Sequence, residues 1–408
     1  MKKFILTTLV VIFSLVLIAC GETTVELSTE TTTAPVITTT TTDIVVTTTQ
    51  TTMEETTTIQ TTMEETTEIT TTEEILYYEN PVFTPVLADP SIVKDDDGYY
   101  YVFGTQDYGE WDGQFGTMYT PILRSRNLMN WEFAGSAFTL QTRPIWGSPN
   151  AGIWAPDIVK IGDNYLLYYS LSVWGDSNPG IGVASATHPL GPWTDHGKLF
   201  DSNSIGVNNS IDSTVFTDDE GNVYLIWGSF RGIYGVELSR DGLSLQHPDY
   251  ASDLKIRIAG YDTSTSWNGS TYEGAYILRK DGYYYLFMSS GTCCDGLNSS
   301  YNVVVARSTS PLGPYYDDQG RDMLAGNRGY QVVNGSAYFV GTGHNSIIQD
   351  ENGDYWILYH AYDTSVDPSF GNSPRRSLML DKLVWSEDGW PSVFGTMPTN
   401  RLTLGPIT

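Results

Sequence analysis

From residue 76 onward the chain is a succession of short apolar runs separated by polar turns. The runs are rich in Val, Ile, Tyr, Phe and Trp, which suit a pleated surface, and none sustains a helical period. One arrangement recurs. Asp89-Pro90-Ser91-Ile92-Val93-Lys94 leads into Asp97-Gly98 and an aromatic run. Ala155-Pro156-Asp157-Ile158-Val159-Lys160 leads into Asp163-Asn164, and Asp212-Ser213-Thr214-Val215-Phe216 into Glu220-Gly221. Glu273-Gly274-Ala275-Tyr276-Ile277 leads into Asp281-Gly282, and His344-Asn345-Ser346-Ile347-Ile348 into Asn352-Gly353. In every copy the turn dipeptide falls eight and nine residues after the first position. Such dipeptides tolerate positive φ, so each copy predicts a tight hairpin. A second strand pair is expected after each hairpin, within 121–133, 180–193, 233–245, 301–315 and 375–385. Copies begin 57 to 71 residues apart. Five repeats of about four strands predict an all-β, five-bladed β-propeller over residues 76–408.

The first 75 residues follow another pattern. Lys2 and Lys3 precede an apolar run, 4–19, that is short for a membrane span and ends at Cys20. Leu17-Ile18-Ala19-Cys20-Gly21 resembles a bacterial lipobox, which implies a lipoprotein signal peptide over 1–20 and a lipid on Cys20. Residues 22–74 contain 26 threonines among 53 positions and no sustained apolar period. Such a segment buries too little surface to offset its ordering entropy. Residues 21–75 are therefore expected to form a disordered Thr/Glu-rich linker that holds the globule away from the membrane.

The formal net charge is −27, from 21 Lys and Arg against 48 Asp and Glu. That balance excludes the usual nucleic-acid binder, which needs clustered cations. Three cysteines give neither a disulfide scaffold nor a zinc-ligand spacing, and no H-E-x-x-H or G-x-S-x-G motif is present. Cys293 and Cys294 are adjacent, so they are either free or joined to each other.

Rotation about a propeller axis gathers equivalent positions into a ring. The first repeat position holds Asp89, Ala155, Asp212, Glu273 and His344. A buried acid is costly unless it pairs, binds metal or works. Converging acids push their pKa values apart and so provide one protonated acid and one ionised base. Glycoside hydrolysis needs that division. Trp146, Trp154, Trp174, Trp267 and Tyr272 lie near these positions, and aromatic faces stack on sugar C–H surfaces. Trp154, Asn209 and Tyr272 are the candidate substrate-binding residues.

Ala88-Asp89-Pro90, Ile211-Asp212-Ser213, Tyr272-Glu273-Gly274 and Trp154-Ala155-Pro156-Asp157-Ile158 together resemble glycoside hydrolase family 43. The run from Cys293 to Val303, with Ala306-Arg307-Ser308 and Gly343-His344-Asn345-Ser346, narrows the likeness to endo-1,5-α-L-arabinanases. The resemblance implies an inverting hydrolase of arabinan, with Asp89 as general base, Glu273 as general acid and Asp212 tuning and orienting Glu273. It also implies that His344 faces a channel metal, usually calcium, largely through water. Ala275 departs from the family, which often has proline there, and 106–119 is longer than a compact arabinanase needs. Two alternatives stay open: an exo-acting β-xylosidase or α-L-arabinofuranosidase, and a non-catalytic surface glycan-binding propeller. The expected protein is a bacterial, lipid-anchored monomer on the outer face of the membrane.

Overall fold

The strand-forming runs of residues 76–408 sort, among the described residues, into five antiparallel sheets of three or more strands and two small two-stranded ones. The computed structural model describes these residues apart from 112, 262–271, 327, 367–373 and 408. The expected signal peptide, Cys20, the linker over 21–75 and Trp267 lie outside the described residues.

Blade I is built from Ser91–Lys94, Tyr100–Phe103, Gln114–Ser125 and Glu132–Phe138. Blade II uses Gly152–Ile161, Asn164–Ser172, Gly180–Ala186 and Thr194–Asp201. Blade III uses Thr214–Thr217, Val223–Trp227, Ile233–Leu238 and Ile256–Ala259. Blade IV uses Glu273–Lys280, Tyr283–Ser290, Asn302–Ser308 and Tyr330–Val333. Blade V has Phe339–Gln349, Tyr355–Asp363 and Arg376–Lys382. The first strand of each blade touches the first strand of the next, and the ring closes from blade V back to blade I. Residues 76–408 form a five-bladed propeller with the repeat heads innermost.

The runs are apolar on both faces because each blade is buried on both faces. Tyr165, Leu167 and Tyr169 pack towards blade I, while Leu166 and Tyr168, one residue out of phase, pack towards blade III. Five such interfacial clusters, rather than one central core, hold the blades together.

The expected second strand pairs hold for the third strands and shift for the fourth. In blades III and IV the fourth strand begins at Ile256 and Tyr330, beyond the expected spans. Loops intervene, one carrying the short helix Ala251–Leu254. In blade V the fourth place is taken from the other end of the globule. Val82 N–H donates to Leu378 O, Leu378 N–H to Phe83 O and Leu87 N–H to Arg376 O. Asn80 imitates a further peptide unit: its Nδ2 donates to Leu380 O, and its Oδ1 accepts from Leu380 N–H, both at 2.8 Å. Closing a ring by pairing its first segment with its last blade ties the seam with backbone bonds as well as side-chain packing.

Asn80→Ala leaves two buried backbone groups of Leu380 unpaired. At about 1–3 kcal/mol for each unsatisfied group, the unfolding midpoint in guanidinium should fall measurably with the denaturant slope unchanged.

Candidate active site

The ring positions share an unusual backbone. Asp89, Ala155, Asp212 and His344 have φ of 55°, 41°, 60° and 52°. In blade IV the left-handed residue is Gly274, with φ of 55°, one position after Glu273. Strand register slips at this point in blades II, IV and V, the mark of a β-bulge that re-aims a side chain. In blades I and III the same residue stands just ahead of the strand.

Each left-handed residue is held by the blade before it. Ala155 N–H donates to Thr105 Oγ1 at 2.8 Å, Asp212 N–H to Ser170 Oγ at 2.9 Å, and His344 N–H to Ser289 Oγ at 2.7 Å. Asp89 N–H donates to His360 Nδ1 at 3.1 Å, across the seam. A second ring of polar residues, Thr105, Ser170, Ser229, Ser289 and His360, thus supports the first. Ser229 alone acts differently: its hydroxyl donates to Glu273 Oε2 at 2.7 Å.

These supports give the three acids distinct environments, although all are buried. Asp89 accepts Arg376 Nη1 at 3.0 and 3.2 Å on its two oxygens, and Thr105 Oγ1 at 2.5 Å. Nδ1 of His344 and of His360 lie 3.4 and 3.3 Å from Asp89 Oδ1. Burial pushes the Asp89 pKa up, but the Arg376 charge, the two histidines and the Thr105 bond outweigh it, so the carboxyl stays well below the usual range. Burial holds both histidines below their ordinary value, which leaves Arg376 as the permanent cation. Asp212 is pushed the other way, first by burial and then by the charges of Glu273 and Asp89. Glu273 is also raised, chiefly by burial, with Asp89 adding to the effect. Among the described residues Glu273 Oε1 is buried with no hydrogen-bond partner, while its Oε2 accepts from Ser229 and Asp212 accepts the Gly274 backbone N–H. Asp89 is thus the acid held towards ionisation, and Asp212 and Glu273 are the two whose protonated forms burial favours.

All three acids open into one cleft of about 1070 Å³ lined by all five blades. Residues 78–391 match the family model described as "Glycosyl hydrolases family 43". The chain belongs to this family. It is 34% identical over 313 residues to an extracellular endo-α-(1->5)-L-arabinanase of Bacillus subtilis, spanning 75% of this chain and 87% of that protein. It is 33% identical over 320 residues to an extracellular exo-α-(1->5)-L-arabinofuranosidase of Cellvibrio japonicus, spanning 75% and 85%. Among solved structures, a Cellvibrio cellulosa α-L-arabinanase complexed with arabinohexaose superimposes with a TM-score of 0.65 at 30% identity, covering 76% of this chain and 96% of that one.

Within this family 43 fold the sequence-predicted residues separate into two groups. Asp89, Asp212, Glu273, His344, Trp154 and Asn209 all line the cleft. The Trp154 ring lies 5.6 Å from that of Trp174, tilted by 50° to it, and Trp174 is 80% exposed at the rim. Tyr272 does not join them: it is fully buried in the cluster between blades III and IV, and its hydroxyl donates to Arg328 O at 2.6 Å. Trp146 likewise serves blade II, its Nε1 donating to Tyr169 at 2.9 Å. Cys293 and Cys294 are joined as a disulfide on the cleft wall. The long segment over 106–119 contains a hairpin, Asp107–Trp111 against the start of Gln114–Ser125, and Tyr108 on it faces the cleft.

Sequence reasoning missed Thr105, Ser229, Tyr301, His360 and Arg376. The first, second and fourth belong to the supporting ring, and each follows its repeat head by 16 or 17 residues. For a channel cation, the relevant atoms are buried oxygens without hydrogen-bond partners among the described residues: Asn345 Oδ1, Ser346 Oγ and Ser213 Oγ, next to the repeat heads in sequence. Such oxygens suit a hydrated hard cation, which His344 would face; His360 Nε2 does not, because its Nδ1 accepts the Asp89 N–H and Nε2 therefore carries the ring hydrogen.

Two glycines are fixed by this geometry. A Cβ on Gly274 would lie 3.0 Å from His344 Nδ1, and one on Gly343 would lie 2.2 Å from the Tyr301 ring. Gly274→Ala also places a side chain at positive φ. It should lower stability by about 1–2 kcal/mol in chemical denaturation and displace the neighbouring Glu273 enough to reduce activity.

Proposed function

We propose that the protein is an inverting arabinan endo-1,5-α-L-arabinosidase that cleaves internal α-1,5-L-arabinofuranosidic bonds in plant pectin side chains. The observation that carries the reading is the pairing, in one cleft, of a carboxyl bonded to arginine with a second buried carboxyl that has no ion pair and one oxygen unpaired among the described residues. The endo- and exo-acting arabinan hydrolases among its relatives support the substrate class.

In this reading Glu273 donates its proton to the departing glycosidic oxygen as the bond to the anomeric carbon breaks. Asp89 takes a proton from the water that forms the new bond on the opposite face. Afterwards Glu273 is ionised and Asp89 protonated, and exchange with solvent restores both. Inversion needs about 6.5–9.5 Å between the two carboxyls to admit that water; heads of separate blades across a channel suit such a gap. Asp212, when ionised, disfavours a second negative charge on Glu273 and so keeps it protonated. Trp154, with Trp174 behind it, offers a platform for a sugar face.

Calcium is the proposed metal, held through water by His344, with the buried oxygens of Asn345, Ser346 and Ser213 as further candidates. It would supply a fixed positive charge at the channel mouth. The enzyme is read as a monomer, and the lipobox-like motif and the threonine-rich segment support its tethering outside the bacterial cell through a lipid on Cys20.

Incubation with debranched arabinan should shorten the polymer before monomer accumulates. Early release of short sugars from chain ends would favour exo action. Glu273→Ala should lower the arabinan rate by about 10²–10⁴-fold while the melting temperature stays near that of the parent. The acid limb of kcat/KM should lie below the ordinary Asp range, since Asp89 stays ionised. The alkaline limb should lie well above the ordinary Glu value, since Glu273 must stay protonated.

A further inference from the structure

We propose that Ser229 is a positioning residue for the general acid: held by Asn209, its hydroxyl fixes the transferable proton of Glu273 on Oε1. The inference rests on the role given to Glu273 above.

The direction of each bond follows from which atoms can donate. Asn209 meets two atoms of Ser229, its backbone oxygen at 3.2 Å and its Oγ at 2.9 Å. A carbonyl oxygen only accepts, so the Asn209 atom facing it is Nδ2 and not Oδ1. That amide nitrogen therefore also donates to Ser229 Oγ. A serine hydroxyl has a single hydrogen. With its oxygen already accepting from Asn209, the hydrogen goes to the remaining neighbour, Glu273 Oε2, 2.7 Å away. Oε2 is then the accepting, carbonyl-like oxygen of the neutral acid, and the acid's own proton sits on Oε1. Oε1 is the oxygen with no hydrogen-bond partner among the described residues, although the Tyr301 hydroxyl faces the same carboxyl. A donor with nothing to hold it is what a departing oxygen needs.

The comparison among blades explains why Ser229 is free to do this. Thr105, Ser170, Ser289 and His360 each accept the N–H of the next left-handed residue. In blade IV that residue is Gly274, and its N–H goes to Asp212 instead. Ser229 is thereby released from backbone duty. The left-handed Asn209, with φ of 56°, swings its side chain under it. Ser229 is buried, and its one strong contact beyond Asn209 is the acid. The bond from Ser229 also favours the ionised form of Glu273, so its loss should raise the carboxyl further.

The test compares wild type, Ser229→Ala, Ser229→Thr and Asn209→Ala on debranched arabinan and on an aryl arabinofuranoside whose leaving group needs no protonation. We expect Ser229→Ala to lose about 10- to 100-fold in kcat on arabinan, with KM and melting temperature little changed. Its rate on the activated aryl substrate should be nearly retained, and the alkaline limb of its pH profile should move to higher pH. Ser229→Thr should restore both rate and profile, because Thr105 shows that a threonine fits the equivalent place in blade I. Asn209→Ala should shift both in the same direction by a smaller amount. Parental arabinan turnover and an unmoved alkaline limb in Ser229→Ala would overturn the inference, as would equal losses on both substrates, which mark a merely structural role. A wild-type enzyme inactive on both substrates would overturn the proposed activity and this inference together.

Discussion

The site depends on one backbone device, a left-handed residue at the head of each inner strand. Four of the five are not glycine, and such conformations cost about 1–3 kcal/mol each. They persist because each N–H is caught by a polar side chain of the preceding blade, and because the interfaces between blades are packed with Leu, Val, Tyr and Trp. The kink turns the head side chain out of the pleat and towards the axis. Five repetitions aim five side chains at one mouth, and the ring is drawn shut by the pairing of 80–87 with blade V.

A symmetric scaffold has produced an asymmetric site through small local differences. The acid of blade I is met by Thr105 of its own blade and by Arg376, His344 and His360 of blade V, and its carboxyl is held below the usual range. Blade IV shifts the left-handed position onto Gly274, so Glu273 stands one residue earlier, with no ion pair and with Oε1 unpaired among the described residues. Blade II carries Ala155 at its head, and its N–H orients Thr105 so that the threonine's single hydrogen points at Asp89. An inert side chain thus still contributes through its backbone.

The repeat heads, the hairpin turns and the number of blades were legible because each rests on a local rule repeated five times. The fourth strands were less so. Their positions depend on loop insertions and on a seam that joins residues about 300 apart, as between Asn80 and Leu380. The three acids could be found from their register. Arg376 could not, since it lies on the third strand of blade V, outside the aligned segments. Tyr272 misled for a related reason: an aromatic next to an acid at a repeat head faces either the cleft or the neighbouring blade, and here it is buried between blades III and IV. The supporting ring was present in the spacing from Asp89 to Thr105, Asp212 to Ser229 and His344 to His360, but a lone Ser or Thr at a strand end carries no signal until a partner is seen.

The central claim is that an ionised Asp89 and a protonated Glu273 act on opposite faces of one sugar. The most direct measurement is proton NMR of the first products formed from a linear arabino-oligosaccharide, before mutarotation. The account predicts that the new reducing end appears first as the β-anomer. Initial release of the α-anomer would contradict it, because retention requires a covalent intermediate on a carboxylate that here is paired with arginine and given the part of base.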